Sequence, residues 1–516
     1  MLTYELERRG EMSRYEYLYR CIRGDIERGA VAAHEKLPSK RALAQHLGVS
    51  LITVESAYDQ LVAEGYVRAV ERKGYYANEL DMAAAHAPNG ARGASDAGGW
   101  GCGTAVAAPS REAPDPAGPE GPPHSGAVSP SANDGVPDGA PLVADFTGRA
   151  GSSGAFPYRM WARTVRAVLS EESERSLAAA AADAAGSRRL REAIAAYLLG
   201  FRGMRVDPGQ IVIGAGAQTL YHTIVQLVGR SCRFAVEDPG YPRLTSIYRA
   251  NDVAVAPVPL DAQGVSVAAL RESGADVLHC MPSHQFPTGL VTPVSRRYEL
   301  LGWASERPGR YLVEDDYDCE FRLAGRPIPT LQSIDASERV LYVNTFTKSL
   351  GAAFRIGYLV LPPHLAEAFR SRLGFYAGTV GAIDQLALAR FIERGDYERH
   401  VSRSRSRCRA MRSALVAALK QSPVGGAIDV EGADAGLHFV LRIDTRAPDA
   451  AVVGCARQEG VALAPLGAYC AADDVRAACA HRFVVNDAAL DPADAERAAS
   501  ALARAVAKAE KPSPLC

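Results

Sequence analysis

Residues 81 to 145 are dominated by Ala, Gly, Pro, Ser and Asp, have no periodic apolar positions, and include Pro114-Asp115-Pro116-Ala117-Gly118-Pro119 and Gly121-Pro122-Pro123. A stretch of this composition cannot bury enough apolar surface to offset the entropy lost on ordering. It is expected to be a linker, flexible with semi-stiff proline segments, between a small module at 12–80 and a large one at 146–510. A compact loop packed on one module is the alternative for this stretch. At 516 residues the chain is long enough for about three folded units of ~150 residues each.

The composition of 47% hydrophobic and 23% charged residues is that of a soluble globular protein, and no run of eighteen apolar residues is present to span a bilayer. No secretory signal is read in Met1-Leu2-Thr3-Tyr4-Glu5-Leu6-Glu7, so the cytoplasm is the expected compartment and no membrane contact is expected. Ten cysteines occur without any C-x-x-C pair or metal-ligand spacing, which predicts reduced thiols and no metal site.

In the large module, Lys348 lies just past the apolar run of Val343-Asn344-Thr345-Phe346-Thr347-Lys348, with Arg355 downstream and Glu314-Asp315-Asp316-Tyr317 upstream. An isolated lysine is most often a solvated surface group. The combination points elsewhere. An amine that forms an imine with an aldehyde, a carboxylate that keeps a pyridine nitrogen protonated and a cation that holds a phosphate are what pyridoxal 5'-phosphate requires. Lys348, Asp315 and Arg355 can fill those roles, and Tyr317 is placed for the cofactor's phenolic oxygen. Tyr311-Leu312-Val313 and Val340-Leu341-Tyr342-Val343 read as strands that deliver these residues at their carboxyl ends, where open α/β sheets bind ligands. Ile211-Val212-Ile213 leads through Gly214-Ala215-Gly216-Ala217-Gln218 into a helical pattern, a turn that can hold phosphate at a helix N-terminus or can occur without any ligand.

In the small module, Tyr15, Leu18, Tyr19, Ile22 and Ile26 form the stripe of an amphipathic helix. Ser39 can cap a second helix ending near Leu47, Gly48 allows a tight turn, and Ser50 can cap a third helix with Val54, Ala57, Tyr58 and Leu61 inward. A hairpin through Arg72-Lys73-Gly74 would form a wing. This is a winged helix-turn-helix layout, which aims one helix at a DNA major groove. Charge does not support the reading by itself: residues 1 to 79 contain twelve Lys/Arg and twelve Asp/Glu. The case rests on local clusters, Lys36, Lys40 and Arg41 at the second helix and Arg68, Arg72 and Lys73 at the hairpin. A solvated charged face on a protein-interaction module is the competing reading.

Leu37-Pro38-Ser39-Lys40-Arg41-Ala42-Leu43-Ala44, Gly48-Val49-Ser50, Ala57-Tyr58-Asp59-Gln60-Leu61 and Glu64-Gly65-Tyr66 resemble the winged helix-turn-helix of GntR regulators. Gly216-Ala217-Gln218, Glu237-Asp238-Pro239-Gly240-Tyr241, Pro282-Ser283-His284-Gln285-Phe286-Pro287-Thr288-Gly289, Glu314 through Arg322 and Thr345 through Leu350 resemble a fold-type I aminotransferase of the MocR kind. The resemblance implies a multidomain protein: an α+β winged head, a linker, and an α/β aminotransferase-like body with large and small subdomains. It implies a homodimeric transcription regulator that binds double-stranded DNA at paired half-sites and senses an amine, an amino acid or pyridoxal phosphate itself. The cofactor residues it implies are Lys348, Asp315, Tyr317, Arg355, Ala217, Gln218 and Thr345, the effector residues Tyr241 and Arg243, and the DNA contacts Arg41, Ser50, Thr53, Lys73 and Gly74. Tyr241 can instead be structural, and the DNA candidates can be caps or solvated groups.

Two departures from that pattern stand out. Ala489 in Asn486-Asp487-Ala488-Ala489-Leu490 occupies the place of a carboxylate-binding arginine, which makes transamination weak or absent unless Arg482 reaches the site through a slipped register. A working aminotransferase with a DNA-binding module is the alternative function. Leu51 and Ile52 stand at recognition-helix positions that are commonly polar, where they can touch thymine methyls or pack on the wing.

Overall fold

The computed structural model describes residues 4, 12–70, 73–80, 142–148, 156–323 and 328–511. The linker reading falls almost wholly outside these residues. Its last residues do not: Ala144–Asp145 form a short strand paired in parallel with Val461–Ala462, and Val143 N donates to Gly460 O at 2.8 Å. The body therefore begins by residue 142, ahead of the expected 146, because the apolar Val143, Ala144 and Phe146 pack into the core of the small subdomain.

The head has the three helices and hairpin its pattern calls for. Helix α1 (Arg14–Glu27) buries Leu18, Tyr19, Ile22 and Ile26. Ser39 Oγ accepts from Ala42 N at 3.2 Å to start α2 (Lys40–Leu47), and Gly48 ends it at φ +62°, a conformation that strains any residue with a Cβ. Ser50 Oγ likewise accepts from Thr53 N at 3.2 Å to start α3 (Leu51–Ala63), whose Val54, Ala57, Tyr58 and Leu61 are fully buried. Strands β1 (Val67–Val70) and β2 (Gly74–Ala77) pair antiparallel as the wing.

The body's large subdomain is an eight-stranded sheet. Its strands in chain order are β3 (Ile211–Gly214), β4 (Phe234–Asp238), β5 (Val255–Asp261), β6 (Gly264–Val265), β7 (Val277–Cys280), β8 (Tyr311–Asp315), β9 (Val340–Thr345) and β10 (Gly357–Val360). In space the order is β3-β10-β9-β8-β7-β4-β5-β6; β10 runs antiparallel to both neighbours and β6 antiparallel to β5, while the other pairs are parallel. Strands β3, β4, β7, β8 and β9 thus present their carboxyl ends at one edge, where a ligand crevice forms in such sheets. Their near-continuous apolar runs are those of strands covered on both faces.

The small subdomain is a four-stranded antiparallel sheet of Ile428–Glu431, His438–Ile443, Arg482–Asn486 and Ala464–Pro465, covered by the helix Ala495–Ala509 and by the long helix Asp396–Gln421. Head and body also meet. Val294 N, at the start of the helix Val294–Ser305, donates to Glu64 O at 2.9 Å, and Val294, Tyr298 and Leu301 join the apolar cluster of the head.

Candidate functional site

Asp315 ends β8 with its carboxylate buried. One oxygen accepts from Tyr221 Oη at 2.5 Å and faces His279 Nε2 at 3.4 Å; the other, Oδ1, is buried without a hydrogen-bond partner. Tyr221 comes from helix α4 (Ala217–Val228), His279 from β7, and Tyr248 pins the far side of the imidazole through a 2.7 Å bond to Nδ1. Burial first, and Asp315 next, push the Tyr221 phenol well above its ordinary pKa, so it stays a proton donor to the carboxylate. A buried acceptor without a donor carries an unmet desolvation cost, and the protonated nitrogen of a pyridine ring is a donor that meets it.

The parallel register sets Val343 of β9 beside Asp315, and β9 passes directly into the short helix Thr347–Leu350, which presents Lys348 as an exposed side chain. Thr345 is the buried last residue of β9, its N–H bonded to Asn344 Oδ1 at 2.5 Å. At the end of β3, Gly216 has φ +83°, and a Cβ there would stand 2.7 Å from Arg355 Nη2. The Arg355 guanidinium therefore lies over the N-terminus of α4, whose first residues are Ala217 and Gln218. Free N–H groups and a cation together form an anion site. An amine, an unpaired carboxylate oxygen and an anion cradle, carried on the ends of neighbouring strands, are the groups that pyridoxal phosphate requires, and the residues present fit it.

Tyr317 Oη lies 3.2 Å from His284 Nδ1, and that same nitrogen lies 3.0 Å from Asp318 Oδ2. Burial, followed by the charges of Asp318 and Asp315, raises the Tyr317 phenol well above its ordinary value. The His438 ring lies 4.3 Å from that of His284, and its pKa is driven well down by burial and by His284, Arg412 and Lys348. His284, Asp318 and His438 have donor atoms within 4.8 Å of one another, a grouping that the sequence spacing behind the no-metal expectation does not reveal. Tyr241 precedes the helix Pro242–Arg249 and packs edge-on to Phe286 at 5.9 Å. Its phenol is raised by burial, opposed by the nearby charges of Arg243 and Arg355 and reinforced by Asp315, so these four residues share one neighbourhood.

Next to Lys348 a cavity of about 160 Å³ opens toward the small subdomain, lined by Lys348, Ser404, Arg407, Asn486 and Asp487 among others. Arg482 is not among its lining residues. It sits at the opposite end of its strand, donates to Ala478 O at 2.8 Å and faces Glu431 at 3.4 Å, so the slipped-register alternative fails. Ala489 stays in the turn after that strand. Asp487 is held by Arg412 through bonds of 2.5 and 2.8 Å, and Arg412 also donates to Ala433 O and Gly436 O.

Sequence reasoning missed the residues that position Asp315. Tyr221 carries in the sequence only the signature of a buried helix face, and His279 lies in an otherwise apolar strand. A polar ring at a core position was the available signal. The buried pairs Arg202–Asp316 at 2.8 Å and Arg297–Glu314 at 3.4 Å, which brace the two residues flanking Asp315, were also not anticipated.

In the head, Arg41 and Lys73 are exposed, and Gly74 takes φ +114° at the wing tip. Ser50 and Thr53 are the helix cap, their hydroxyls 2.9 Å apart, at the exposed end of α3. Leu51 is 41% and Ile52 72% exposed, so packing of this pair on the wing is not what the fold does with them. Lys40 also departs from expectation: it bonds Glu55 at 3.1 Å and Asp59 at 2.9 Å, which removes it from the phosphate-facing cluster.

Two family profiles match: bacterial regulatory proteins of the gntR family over residues 14–76, and aminotransferase class I and II over residues 152–502. The chain is 32% identical to the uncharacterized HTH-type transcriptional regulator YhdI of Bacillus subtilis, covering 90% of each chain. It is 31% identical to the probable rhizopine catabolism regulatory protein MocR of Rhizobium meliloti, over 89% of this chain and 88% of the relative. It is also 31% identical to the HTH-type pyridoxine biosynthesis transcriptional regulator PdxR of Corynebacterium glutamicum, over 87% of each. Among solved structures, a multiple substrate aminotransferase from Thermococcus profundus matches with TM-score 0.62 at 22% identity, over 72% of this chain and 93% of that one. The α-aminoadipate aminotransferase LysN of Thermus thermophilus, complexed with N-(5'-phosphopyridoxyl)-L-leucine, matches with TM-score 0.60 at 22% identity, over 71% of this chain and 92% of that one. A GntR head and a fold-type I body, in this order and over nearly the whole length of its relatives, place the chain in the MocR family of HTH-type transcriptional regulators with an aminotransferase-like domain.

Proposed function

We propose that the body binds pyridoxal 5'-phosphate through Lys348 and reports an amine-bearing effector to the DNA-binding head. The observation that carries this reading is the buried, unpartnered Asp315 Oδ1, held in place by Tyr221 and His279 at the end of a strand whose neighbour leads directly to Lys348. When bound, the cofactor supplies an aldehyde for an amine to condense with and a ring that withdraws electrons. Lys348 provides the competing amine, Asp315 holds a proton on the ring nitrogen, Tyr317 donates toward the phenolic oxygen, and Arg355, Thr345 and the first N–H groups of α4 with Ala217 and Gln218 hold the phosphate. Tyr241 and Arg243 flank the effector. An effector amine that took the place of Lys348 would change the contacts between the subdomains, and linkage would carry that change to the head.

The head binds double-stranded DNA by the exposed end of α3 and the wing, with Arg41, Ser50, Thr53, Lys73 and Gly74 as contacts. A homodimer that reads paired half-sites is supported by Tyr158, Leu169 and Ile383, large apolar side chains exposed on two helices that pack against each other. The absence of an arginine at Ala489 favours sensing over turnover. The test is the absorbance spectrum of the purified protein, with operator-DNA binding followed in parallel. Wild type is expected to be yellow and Lys348→Ala to lack the visible band; an identical spectrum in both removes the lysine from this role. Many turnovers of keto acid from amino acids and 2-oxoglutarate would establish the enzyme reading in place of the sensor.

A further inference from the structure

Resting on the cofactor reading above, we infer that Tyr397 and His400 are positioning residues for Lys348: they grip its neighbour Ser349 and so fix the one-turn helix that presents the amine. Such a short helix does not hold itself. Thr347–Leu350 is a single turn, closed by bonds from Leu350 N to Phe346 O at 2.8 Å and from Gly351 N to Thr347 O at 3.0 Å. A first turn in isolation is unfavourable, because several residues are fixed for each bond gained. Apolar anchoring supplies part of the hold: Phe346 and Leu350 are buried, and the Phe346 ring meets that of Tyr397 edge-on at 5.3 Å. Apolar contact has no direction, whereas a hydrogen bond sets one.

Ser349 is held at both of its polar ends. Its carbonyl accepts from His400 Nε2 at 2.6 Å, and its hydroxyl lies 2.9 Å from Tyr397 Oη. Tyr397 gives its single proton to Glu320 Oε1 at 3.2 Å, so in the shorter contact Ser349 donates to Tyr397. Tyr197 donates to the same Glu320 oxygen at 3.4 Å. Burial above all raises both phenols well above their ordinary pKa and keeps them donors. Ser349, Tyr397, His400 and Glu320 are all buried, where a bond left unmade costs more than it does in water. Tyr397, His400 and Glu320 stand behind the wall of the cavity beside Lys348 rather than in it, so their effect on the amine passes through Ser349. Tyr397 and His400 are three residues apart on one face at the start of the helix Asp396–Gln421. The same helix carries Met411, Leu415 and Leu419 into the core of the small subdomain. The turn that bears Lys348 is thereby fastened to an element of the small subdomain, and the two are placed together.

The test compares two forms of the cofactor on the full-length apoprotein. Pyridoxal phosphate has an aldehyde that calls on the Lys348 amine; pyridoxamine phosphate has the same ring and phosphate with an amine of its own, so its binding bypasses Lys348. Affinity for each is read by calorimetry, and the visible band reports attachment of pyridoxal phosphate. Tyr397→Phe and Ser349→Ala are each expected to weaken pyridoxal phosphate about three- to tenfold, as suits one net hydrogen bond, and to leave pyridoxamine phosphate within about twofold of wild type. The double variant should be about as weak as the weaker single, since both changes remove the same bond. His400→Gln, whose amide can donate to the Ser349 carbonyl, should retain more affinity for pyridoxal phosphate than His400→Leu. Equal losses for the two cofactors mean general damage to the fold and overturn the inference, as does an unchanged affinity for pyridoxal phosphate in Tyr397→Phe; either leaves the cofactor reading intact. A wild type that binds pyridoxamine phosphate yet shows no visible band with pyridoxal phosphate removes Lys348 from its role and overturns both.

Discussion

The phenol of Tyr221 donates a 2.5 Å hydrogen bond to one oxygen of Asp315 and leaves the other oxygen buried and unpaired. The carboxylate is thereby aimed before any ligand arrives. Tyr221→Phe removes the bond and keeps the ring. Cofactor affinity, measured by titrating the apoprotein with pyridoxal phosphate, should fall about tenfold, consistent with the ~1.5–3 kcal/mol of a bond to a charged group. Asp315→Ala should fall further.

Gly216→Ala tests the anion cradle. The substitution adds a Cβ 2.7 Å from Arg355 Nη2 at a residue with φ +83° and ψ 177°, a region nearly restricted to glycine, so Arg355 must move and the backbone is strained by about 1–3 kcal/mol. Thermal stability should drop modestly, and the phosphate-bearing cofactor should lose more affinity than pyridoxal, which has no phosphate to misplace.

Glu237 gives a pH prediction with a definite sign. Burial pushes its carboxyl up to about 8, with the hydrogen bond from Gln285 acting in the opposite direction. A raised value means the native state holds more protons than the unfolded chain between pH 4.5 and about 8, so stability is lost as pH rises through that window. The slope is at most about 1.4 kcal/mol per pH unit from this group. Glu237→Gln cannot ionise. Its unfolding midpoint should therefore decline less than that of wild type between pH 5 and pH 8.

The contact between head and body predicts a coupling variant. Gly65 has φ +81°, and a Cβ there would come within 2.9 Å of Pro293 Cβ, next to the Val294 N to Glu64 O bond. Gly65→Ala should loosen the head from the body. Expected results are faster proteolysis between the two and DNA affinity that no longer responds to effector; unchanged response would show that this contact does not carry the signal.

Ile52, at 72% exposure, can be changed at little cost to folding. Ile52→Asp should leave the unfolding midpoint within about a degree, since surface substitutions shift stability by ~0.5 kcal/mol or less. Operator affinity should fall at least tenfold if the exposed start of α3 enters the groove. Arg41→Ala should lower the salt dependence of binding by about one charge.

The three head helices were readable because each starts with a serine whose cap is made locally, Ser39 to Ala42 and Ser50 to Thr53, or shows a strict apolar stripe, as in α1. Strands ending at Asp315 and shortly before Lys348 were readable from short apolar runs. The bracing of Asp315 was not. Tyr221 and His279 are 94 and 36 residues away from it in sequence, and neither contact has a local signature. Lys40 misled for the same reason: a basic residue near a helix start looks available until Glu55 and Asp59 of the next helix close on it.

Local chemistry in the chain determined the two-module layout, the element types and the candidate groups for the proposed cofactor, because capping, periodicity and turn geometry act over a few residues. Tertiary structure alone decided which of these groups face one another. It moved Arg482 away from the site, brought Arg407 to the cavity beside Lys348, and seated the head on the body at Val294. Such pairings depend on how sheets stack and helices cross, and those are outcomes of the whole core rather than of any one segment.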